Sequence, residues 1–168
     1  MVQLLRFWLR LCLLQVAPQD LPASNWLLGF SILCYTVVSV LVMALSYGLA
    51  DGVRMALLEL VLLAGFIVLL LYLLDKPMRI RQTLSALTGA GALLGLPALL
   101  LVITAPEHEA SPLSMVWLIL LIWNLVVTAH IMRHALSSSL VIGLAVALLY
   151  ILVSTQIVVT AFPQLAGQ

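Results

Sequence analysis

Long apolar stretches separated by short polar breaks dominate the hydrophobic pattern of this chain. A helix rises 1.5 Å per residue, so about 20 apolar residues cross a hydrocarbon layer about 30 Å thick. Five stretches have this length, and they predict transmembrane helices at about 26–47, 53–74, 84–105, 113–132 and 139–162. The predicted fold class is therefore all-α, a polytopic membrane protein in which residues 1–168 form a single bundle of five spans.

The breaks between these stretches carry turn and helix-start signals. Residues 48–52 contain two glycines and an aspartate, which predicts a very short turn and an antiparallel hairpin of spans one and two. Residues 75–81 are charged and contain a proline, and residues 133–139 hold an arginine, a histidine and three serines. In the third break, Ser111 as N-cap and Pro112 at the first helical position predict the start of span four.

The basic residues predict the orientation of the chain. Lys and Arg are retained on the cytoplasmic side of a membrane, whereas acidic residues count for little. Six of the seven basic residues fall on one side of the five spans, namely Arg6, Arg10, Lys76, Arg79, Arg81 and Arg133. The other side holds Arg54. We therefore expect a cytoplasmic amino-terminus and a carboxyl-terminus outside.

Residues 2–16 place their polar side chains on one helical face. Gln3, Arg6 and Arg10 share this face, and leucine and aromatic residues surround the rest. A cleaved signal peptide would carry its charge before an unbroken apolar core, which Arg10 interrupts. We therefore expect an amphipathic helix in the cytoplasmic interface, with Arg6 and Arg10 contacting the membrane surface.

Composition agrees with a membrane protein. The chain is 65% hydrophobic and 8% charged, whereas ordinary soluble domains are about 45–50% apolar and about 25% charged. This balance, with a net charge of +1, excludes a soluble domain, a disordered chain and a nucleic-acid binder. Cys12 and Cys34 show no C-x-x-C or zinc spacing, so a disulfide scaffold is excluded as well.

Glu59 is the acidic residue that the pattern places well inside a span. It lies six residues into span two, about 9 Å below the outer boundary. A carboxylate at that depth is costly unless it is protonated, hydrated or partnered. Gln156 of span five lies at a similar level, and Ser154 and Thr155 are close to it. One interpretation is a polar pocket for a proton, an ion or a small ligand, and the other, which we favour, is a hydrogen-bonded clamp between the two spans.

Two further polar residues face the middle of the membrane. Asn124 lies eleven positions into span four, and Tyr150 of span five lies at a comparable depth. Hydrogen bonds between polar side chains of neighbouring spans are common in membrane proteins. The depths therefore predict an interhelical hydrogen bond between Asn124 and Tyr150.

His130 and His134 lie on one face at the cytoplasmic end of span four. Their spacing of four suits two ligands of one metal or axial ligands of haems, but spans one, two, three and five contain no histidine. A third metal ligand is also lacking nearby, unless Asp75 folds across. We interpret the pair as interfacial side chains that reach toward the headgroups, and we expect no metal or other cofactor.

Span three contains a G-x-x-x-G step followed by a proline. Gly91 and Gly95 allow close approach of another helix, and Pro97 removes one backbone donor. The pattern predicts a central packing helix. A broken helix that lines a substrate route is the alternative.

Three local patterns resemble one known family. Asp20-Leu21-Pro22 is followed by Trp26 at the start of span one, and the segment 81–87 (RQTLSAL) precedes the glycines and Pro97 of span three. Trp123 is followed by the polar exit from His130 to Ser138. Over most of the chain, from about Arg6 to Phe162, the pattern is similar to the Yip (Ypt-interacting protein) family and its bacterial relatives.

The resemblance to the Yip family implies a five-span fold with a cytoplasmic amino-terminus and an outside carboxyl-terminus. It implies a membrane scaffold without an enzymatic activity or a cofactor. Eukaryotic members bind Rab-type GTPases through a long cytoplasmic amino-terminal region, whereas this chain has about 25 residues before its first span.

Functional motifs of enzymes are absent from the sequence. It contains no Walker loop, serine-nucleophile elbow, H-E-x-x-H or paired carboxylates. We expect a non-enzymatic multi-pass protein of the bacterial inner membrane, a scaffold or assembly factor whose partners are the lipid bilayer, other membrane proteins or a second copy. The alternative is a small oligomeric transporter or channel that uses Glu59 in a polar pocket with Gln156. A haem- or quinone-handling subunit is a third hypothesis.

Overall fold

The computed structural model describes residues 2–104 and 112–163. This part of the chain forms helices and no strands, with bounds α1 Val2–Cys12, α2 Asn25–Tyr47, α3 Leu49–Leu73, α4 Ile80–Thr104, α5 Pro112–Leu136 and α6 Leu140–Ala161. Short 3₁₀ turns at Pro18–Asp20 and Pro77–Arg79 precede α2 and α4. The five helices α2 to α6 are long and apolar enough to cross a membrane. The predicted all-α fold of an integral multi-pass membrane protein is therefore confirmed.

Several helices extend beyond the apolar stretches that predicted them. α3 begins at Leu49, so Asp51 and Arg54 lie in its first turns, where their side chains form an ion pair of 3.3 Å. α5 continues to Leu136 and includes His134. Hydropathy marks the part of a helix that suits hydrocarbon, whereas backbone hydrogen bonding continues into polar surroundings.

Gly48 alone connects α2 to α3. Its φ of 84° lies in the left-handed region that favours glycine, and its N–H donates to the Ala44 carbonyl at 3.0 Å. A Cβ added to Gly52 would lie 2.5 Å from the backbone nitrogen of Ala44, so the two helices approach too closely for a side chain. The antiparallel hairpin predicted for residues 48–52 is present, with a single-residue turn.

α4 is the central helix. It packs against α1, α2, α3 and α5, and its residues 83–90 are all buried. A Cβ at Gly91 would lie 2.8 Å from the Tyr35 ring of α2, and one at Gly95 would lie 2.6 Å from Val38 Cγ1. The G-x-x-x-G step therefore packs against α2, and the helix is continuous through Pro97 rather than broken there.

α6 packs against α5 and then against α3. Near its start, a Cβ at Gly143 would lie 2.4 Å from the Ala129 carbonyl oxygen of α5. Further along, the ring of Tyr150 lies 5.3 Å from that of Phe66 on α3. The helix starts at the N-cap Ser139, whose Oγ accepts from the Ile142 N–H at 3.4 Å.

The amino-terminal helix α1 is attached to the bundle. Trp8, Leu11 and Cys12 are buried, whereas Arg6 and Arg10 are exposed as the amphipathic pattern predicts. The helix ends at Cys12 rather than at residue 16, because Leu14 adopts a left-handed φ of 62°. Contact of the two arginines with a membrane surface remains a prediction.

Parts of the predicted organisation lie outside the described residues. These are the end of span three at Ala105, the break at 106–111 with the N-cap Ser111, and the tail from residue 164 to 168.

Candidate functional site

Glu59 lies ten residues after the start of α3 and borders two cavities. The first, which we call the inner cleft, has a volume of about 250 Å³ and lies among α2, α3, α4 and α5. The second, the α3–α6 cleft, has a volume of about 180 Å³ and is formed mainly by α3 and α6. Met43 of α2 also borders both. Glu59 is therefore accessible from two cavities at one level of the bundle.

The inner cleft gathers polar side chains from three helices. Tyr35 and Ser39 come from α2, Glu59 from α3 and Asn124 from α5. Tyr35 and Ser39 share a helical face because they are four residues apart. The Tyr35 hydroxyl lies near enough to the Glu59 carboxyl and to Ser39 for their side chains to interact. The spans thus place their polar groups together rather than scattering them.

Small residues of α4 form part of the wall of the inner cleft. Gly91 and Gly95 line it and have no side chain to fill it. The same two residues bring α2 close to α4, which carries Tyr35 into the cleft. The G-x-x-x-G step therefore shapes the polar site as well as the helix packing.

The α3–α6 cleft places hydroxyl groups of α6 beside Glu59. Ser154 and Thr155 of α6 line this cleft. Tyr150, one helical turn before Ser154, lies close enough to Glu59 and to Ser154 to interact with both. A carboxyl group surrounded by hydroxyls can take up or release a proton, and it can accept and donate hydrogen bonds.

Gln156, the partner predicted for Glu59, has an exposed side chain. Its neighbours Ser154 and Thr155 line the α3–α6 cleft instead. Depth gives only the position of each residue along its helix axis. Because successive residues are rotated by about 100° around that axis, two residues at the same depth can point in different directions. The structure brings α6 to Glu59 at the predicted level. The α6 residues that line the cleft are Ser154 and Thr155 rather than Gln156.

Asn124 and Tyr150, the second predicted pair, have separate partners. The Asn124 carbonyl oxygen accepts from the Thr128 hydroxyl at 3.3 Å on the same helix, and the Tyr150 ring packs against Phe66. No hydrogen bond joins Asn124 to Tyr150 in the part of the chain that the structure describes. Asn124 belongs to the inner cleft with Glu59.

Sequence reasoning missed the hydroxyl groups of Tyr35 and Ser39, whereas it placed Ser154 and Thr155 at the level of Glu59. Ionisable and amide side chains stand out in a span because they are the most costly to place in hydrocarbon, whereas single hydroxyl groups cost less. Tyr35 and Ser39 are common residue types in spans, and their only signal is their spacing by four along one helix.

His130 is buried in the protein, so its side chain does not reach toward the headgroups as predicted. Its Nε2 lies 3.0 Å from the Val16 carbonyl oxygen, and its ring lies 4.7 Å from that of His134. Seven residues earlier, Trp123 Nε1 donates to the Cys12 carbonyl at 3.1 Å. α5 thus holds the segment that follows α1 through hydrogen bonds from its side chains to the backbone of that segment.

Among residues 2–104 and 112–163, no three His, Cys, Asp or Glu side chains group as metal ligands.

The basic residues of the second break bind the end of α5. Arg79 Nη1 donates to the carbonyls of Ala135 at 2.9 Å and His134 at 3.2 Å, and Lys76 Nζ donates to the Leu136 carbonyl. The last carbonyls of a helix lack intrahelical partners and carry partial negative charge, so cations stabilise them. The basic residues that predict the orientation of the chain therefore also stabilise the carboxyl end of α5.

Two of the local patterns that resemble the Yip family lie at the starts of α2 and α4. Asp20 ends a 3₁₀ turn before α2, Trp26 lies in the first turn of α2, and residues 81–87 form the first turns of α4. These placements are compatible with the five-span fold that the resemblance implies. The sequence matches no family model, and neither curated proteins nor solved structures give a match, so membership of the Yip family stays a prediction.

Proposed function

We propose that this chain is a non-enzymatic multi-pass protein of the bacterial inner membrane that acts by binding other membrane proteins, as a scaffold or assembly factor. The observation that supports this proposal is the environment of Asn124. It lies twelve residues from each end of α5, which is the middle of a membrane span. Its side chain is exposed at that depth.

The amide group of Asn124 lacks a complete set of partners. Its oxygen accepts from Thr128, whereas its amide hydrogens find no acceptor among the described residues. Hydrocarbon offers no hydrogen bonds, so an exposed amide at mid-membrane costs free energy unless another helix supplies an acceptor. Gln156 differs because it lies five residues from the end of α6, within reach of the polar boundary.

The surroundings of Asn124 suit another transmembrane helix. From residue 114 to residue 126, every side chain is exposed except the half-buried Leu120 and Leu125. Most side chains in this half of α5 are therefore apolar and exposed, and Asn124 is the polar side chain among them that lies at mid-membrane depth. A transmembrane helix with a polar side chain at the matching depth would bury the apolar surface and bind the amide.

Photo-crosslinking tests the proposal. A photoreactive residue in place of Leu121, one turn before Asn124, is compared with one in place of Leu152 on α6, because the two are 60% and 64% exposed. We expect a protein adduct at position 121 that is lost with Asn124→Leu, and lipid adducts at position 152. A product of twice the chain mass identifies a second copy, and another mass identifies a different partner. Lipid adducts alone at both positions would contradict the proposal.

A second function, a small oligomeric transporter or channel, is supported by one separate observation. Glu59 borders both the inner cleft and the α3–α6 cleft. An ionisable group that borders two cavities can exchange a proton or cation with each of them, which is one step of a relay. In this proposal Glu59 receives the proton or ion from one cleft and releases it to the other.

Flux measurements test the transport function. The full chain is reconstituted into liposomes with dyes that report H⁺, Na⁺ and K⁺. Transport through Glu59 requires flux that Glu59→Gln abolishes and that Gln156→Leu, a change of an exposed polar residue in the same layer, leaves intact. No flux of any of the three ions, or equal flux through the Glu59→Gln variant, would refute transport through this residue.

A further inference from the structure

A polar cavity of about 460 Å³ lies at the basic end of the bundle, far from Glu59. It lies between the turn that joins α5 to α6 and the 3₁₀ turn before α2. Its polar lining consists of Gln19, Arg133, His134 and the three consecutive serines at 137–139. We call it the serine cleft. The orientation predicted from the basic residues places this end in the cytoplasm.

Positive charge surrounds the serine cleft. Arg133 lines it, and Arg79 reaches it from the α3–α4 turn, where its Nη1 donates to the Ser137 hydroxyl. The nearby negative group is Asp20, which lies within electrostatic range of His134. Two arginines against one carboxylate leave the cleft with a positive balance.

The carbonyl groups at the end of α5 would repel an anion in the serine cleft if they were free. They are already bound: Gln19 Nε2 donates to the His134 carbonyl at 2.8 Å, and Arg79 donates to the carbonyl groups of His134 and Ala135. The negative end of the α5 dipole is therefore offset by protein groups before a ligand arrives.

The start of α6 adds donors to the serine cleft. α6 has 22 residues, and the first N–H groups of such a helix attract anions. Ser139 is its N-cap. These donors accompany the arginines, so the cleft combines charge with directed hydrogen bonds.

Ser138 provides an independent indication of a ligand. Its hydroxyl oxygen is buried and has no hydrogen-bond partner among the described residues, and the residue lines the serine cleft. A buried hydroxyl without a partner costs free energy, and rotation of the Ser138 side chain toward the cleft would give it an acceptor there. A phosphate oxygen can accept this hydrogen while the arginines bind its charge.

The location of the cleft selects among phosphate compounds. It opens at the first turn of a membrane-spanning helix, where Leu140 lines it and Val141 is 76% exposed beside it. Apolar side chains next to a cationic cleft suit a molecule with a phosphate and acyl chains. We infer that the serine cleft binds the phosphate group of an anionic phospholipid, with Arg133 and Ser138 as its main contacts.

Native mass spectrometry of the purified full chain tests this inference. Phosphatidylglycerol and phosphatidylcholine are titrated separately, and the bound fractions give their affinities. We expect tighter binding of phosphatidylglycerol. Because a hydrogen bond to a charged group is worth about 1.5–3 kcal/mol, Arg133→Gln and Ser138→Ala should each weaken it by about ten-fold or more. Arg81→Gln, which removes an exposed charge at the same end of the bundle, should change it less than about two-fold.

Each alternative result overturns the inference. Equal binding of the two lipids would exclude recognition of the anionic headgroup. Equal weakening by Arg81→Gln and Arg133→Gln, with Ser138→Ala unchanged, would show that surface charge alone attracts the lipid. Inorganic phosphate that binds with the same dependence on Ser138, with no preference for the lipid, would identify a free anion as the ligand. Ser138→Ala removes one oxygen atom, so it keeps the test valid even if Arg133→Gln fails to fold.

Discussion

The indole ring of Trp8 occupies the space that a side chain at position 89 would fill. A Cβ added to Gly89 would lie 2.2 Å from Trp8 Nε1, a distance that real side chains do not adopt. The same indole stacks on Phe30 of α2 with ring centroids 6.1 Å apart. One glycine of the central helix thus allows α1 to pack against the bundle, and the contact joins α1, α2 and α4.

Replacement of Gly89 by valine should release α1. The new side chain has no room while Trp8 is in place, so we expect α1 to leave α4 and expose Cys12, which is buried there. The measurement is the rate of maleimide labelling of Cys12 at pH 8 in a Cys34→Ala background. Release should raise this rate on the order of 100-fold, because a free thiol ionises far more readily than a buried one.

Gly65→Val is the matched control for the release of α1. A Cβ at Gly65 meets no atom within 4 Å, so this variant introduces the same residue into a helix without displacing a neighbour. Its labelling rate should equal that of the parent chain. Equal rates for Gly65→Val and Gly89→Val would show that the Trp8–Gly89 contact does not hold α1.

The labelling of Cys12 should depend on pH in a shifted range. Burial raises the pKa of the Cys12 thiol from 9.0 to about 11, because the charged thiolate is poorly solvated there. The thiolate is the reactive form, and a raised pKa keeps the thiol protonated at pH 8. The labelling rate of the folded chain should therefore increase about ten-fold per pH unit from pH 8 and level off near pH 11. A plateau near pH 9 would contradict the burial of this thiol.

Gly52→Ala should destabilise the α2–α3 hairpin. The new Cβ would lie 2.5 Å from backbone atoms of Ala44, which cannot move aside without shifting the helix. Overpacking of this kind costs about 1–3 kcal/mol in the free energy of unfolding. Unfolding in detergent followed by circular dichroism measures the change.

Gly29→Ala separates packing from helix propensity in this experiment. Both glycines lie in helices, so alanine favours each helix by about 1 kcal/mol. A Cβ at Gly29 meets no atom within 4 Å, and this variant should be neutral or more stable. Should both variants prove equally stable, the close approach at Ala44 is not present in the protein.

Arg79→Met should loosen the α5–α6 turn. The change removes the hydrogen bonds of Arg79 with the His134 and Ala135 carbonyls and with the Ser137 hydroxyl. When a carbonyl or hydroxyl acceptor shielded from water loses a charged partner, the folded state is destabilised by about 1–3 kcal/mol. Hydrogen exchange of the α5–α6 turn should speed up in this variant and stay unchanged in Arg81→Met, whose side chain is exposed. Faster exchange in both variants would assign the effect to overall charge.

The helices and the level of the polar site were predictable from the sequence. Hydrophobicity belongs to each residue separately, and its run length predicts a span because the bilayer has a fixed thickness. The 1.5 Å rise then gives depth, which placed Glu59 at the same level as the polar residues near Gln156. The glycines at 48 and 52 indicated a tight turn. Gly48 allows the positive φ of the single-residue turn, and Gly52 lets the two helices approach where a Cβ would have no room.

The neighbours of each polar side chain were decided by the tertiary structure. The rotation of α6 directs Ser154 and Thr155, rather than Gln156, toward Glu59, and α2 contributes Tyr35, which no depth argument selected. His130 is buried because the segment after α1 folds back over it. Sequence alone therefore determined which residues form the five long apolar helices and how far along each helix they lie, and only helix packing decided which of them meet. Depth follows from position along one helix, whereas contact depends on the rotation and crossing of two helices.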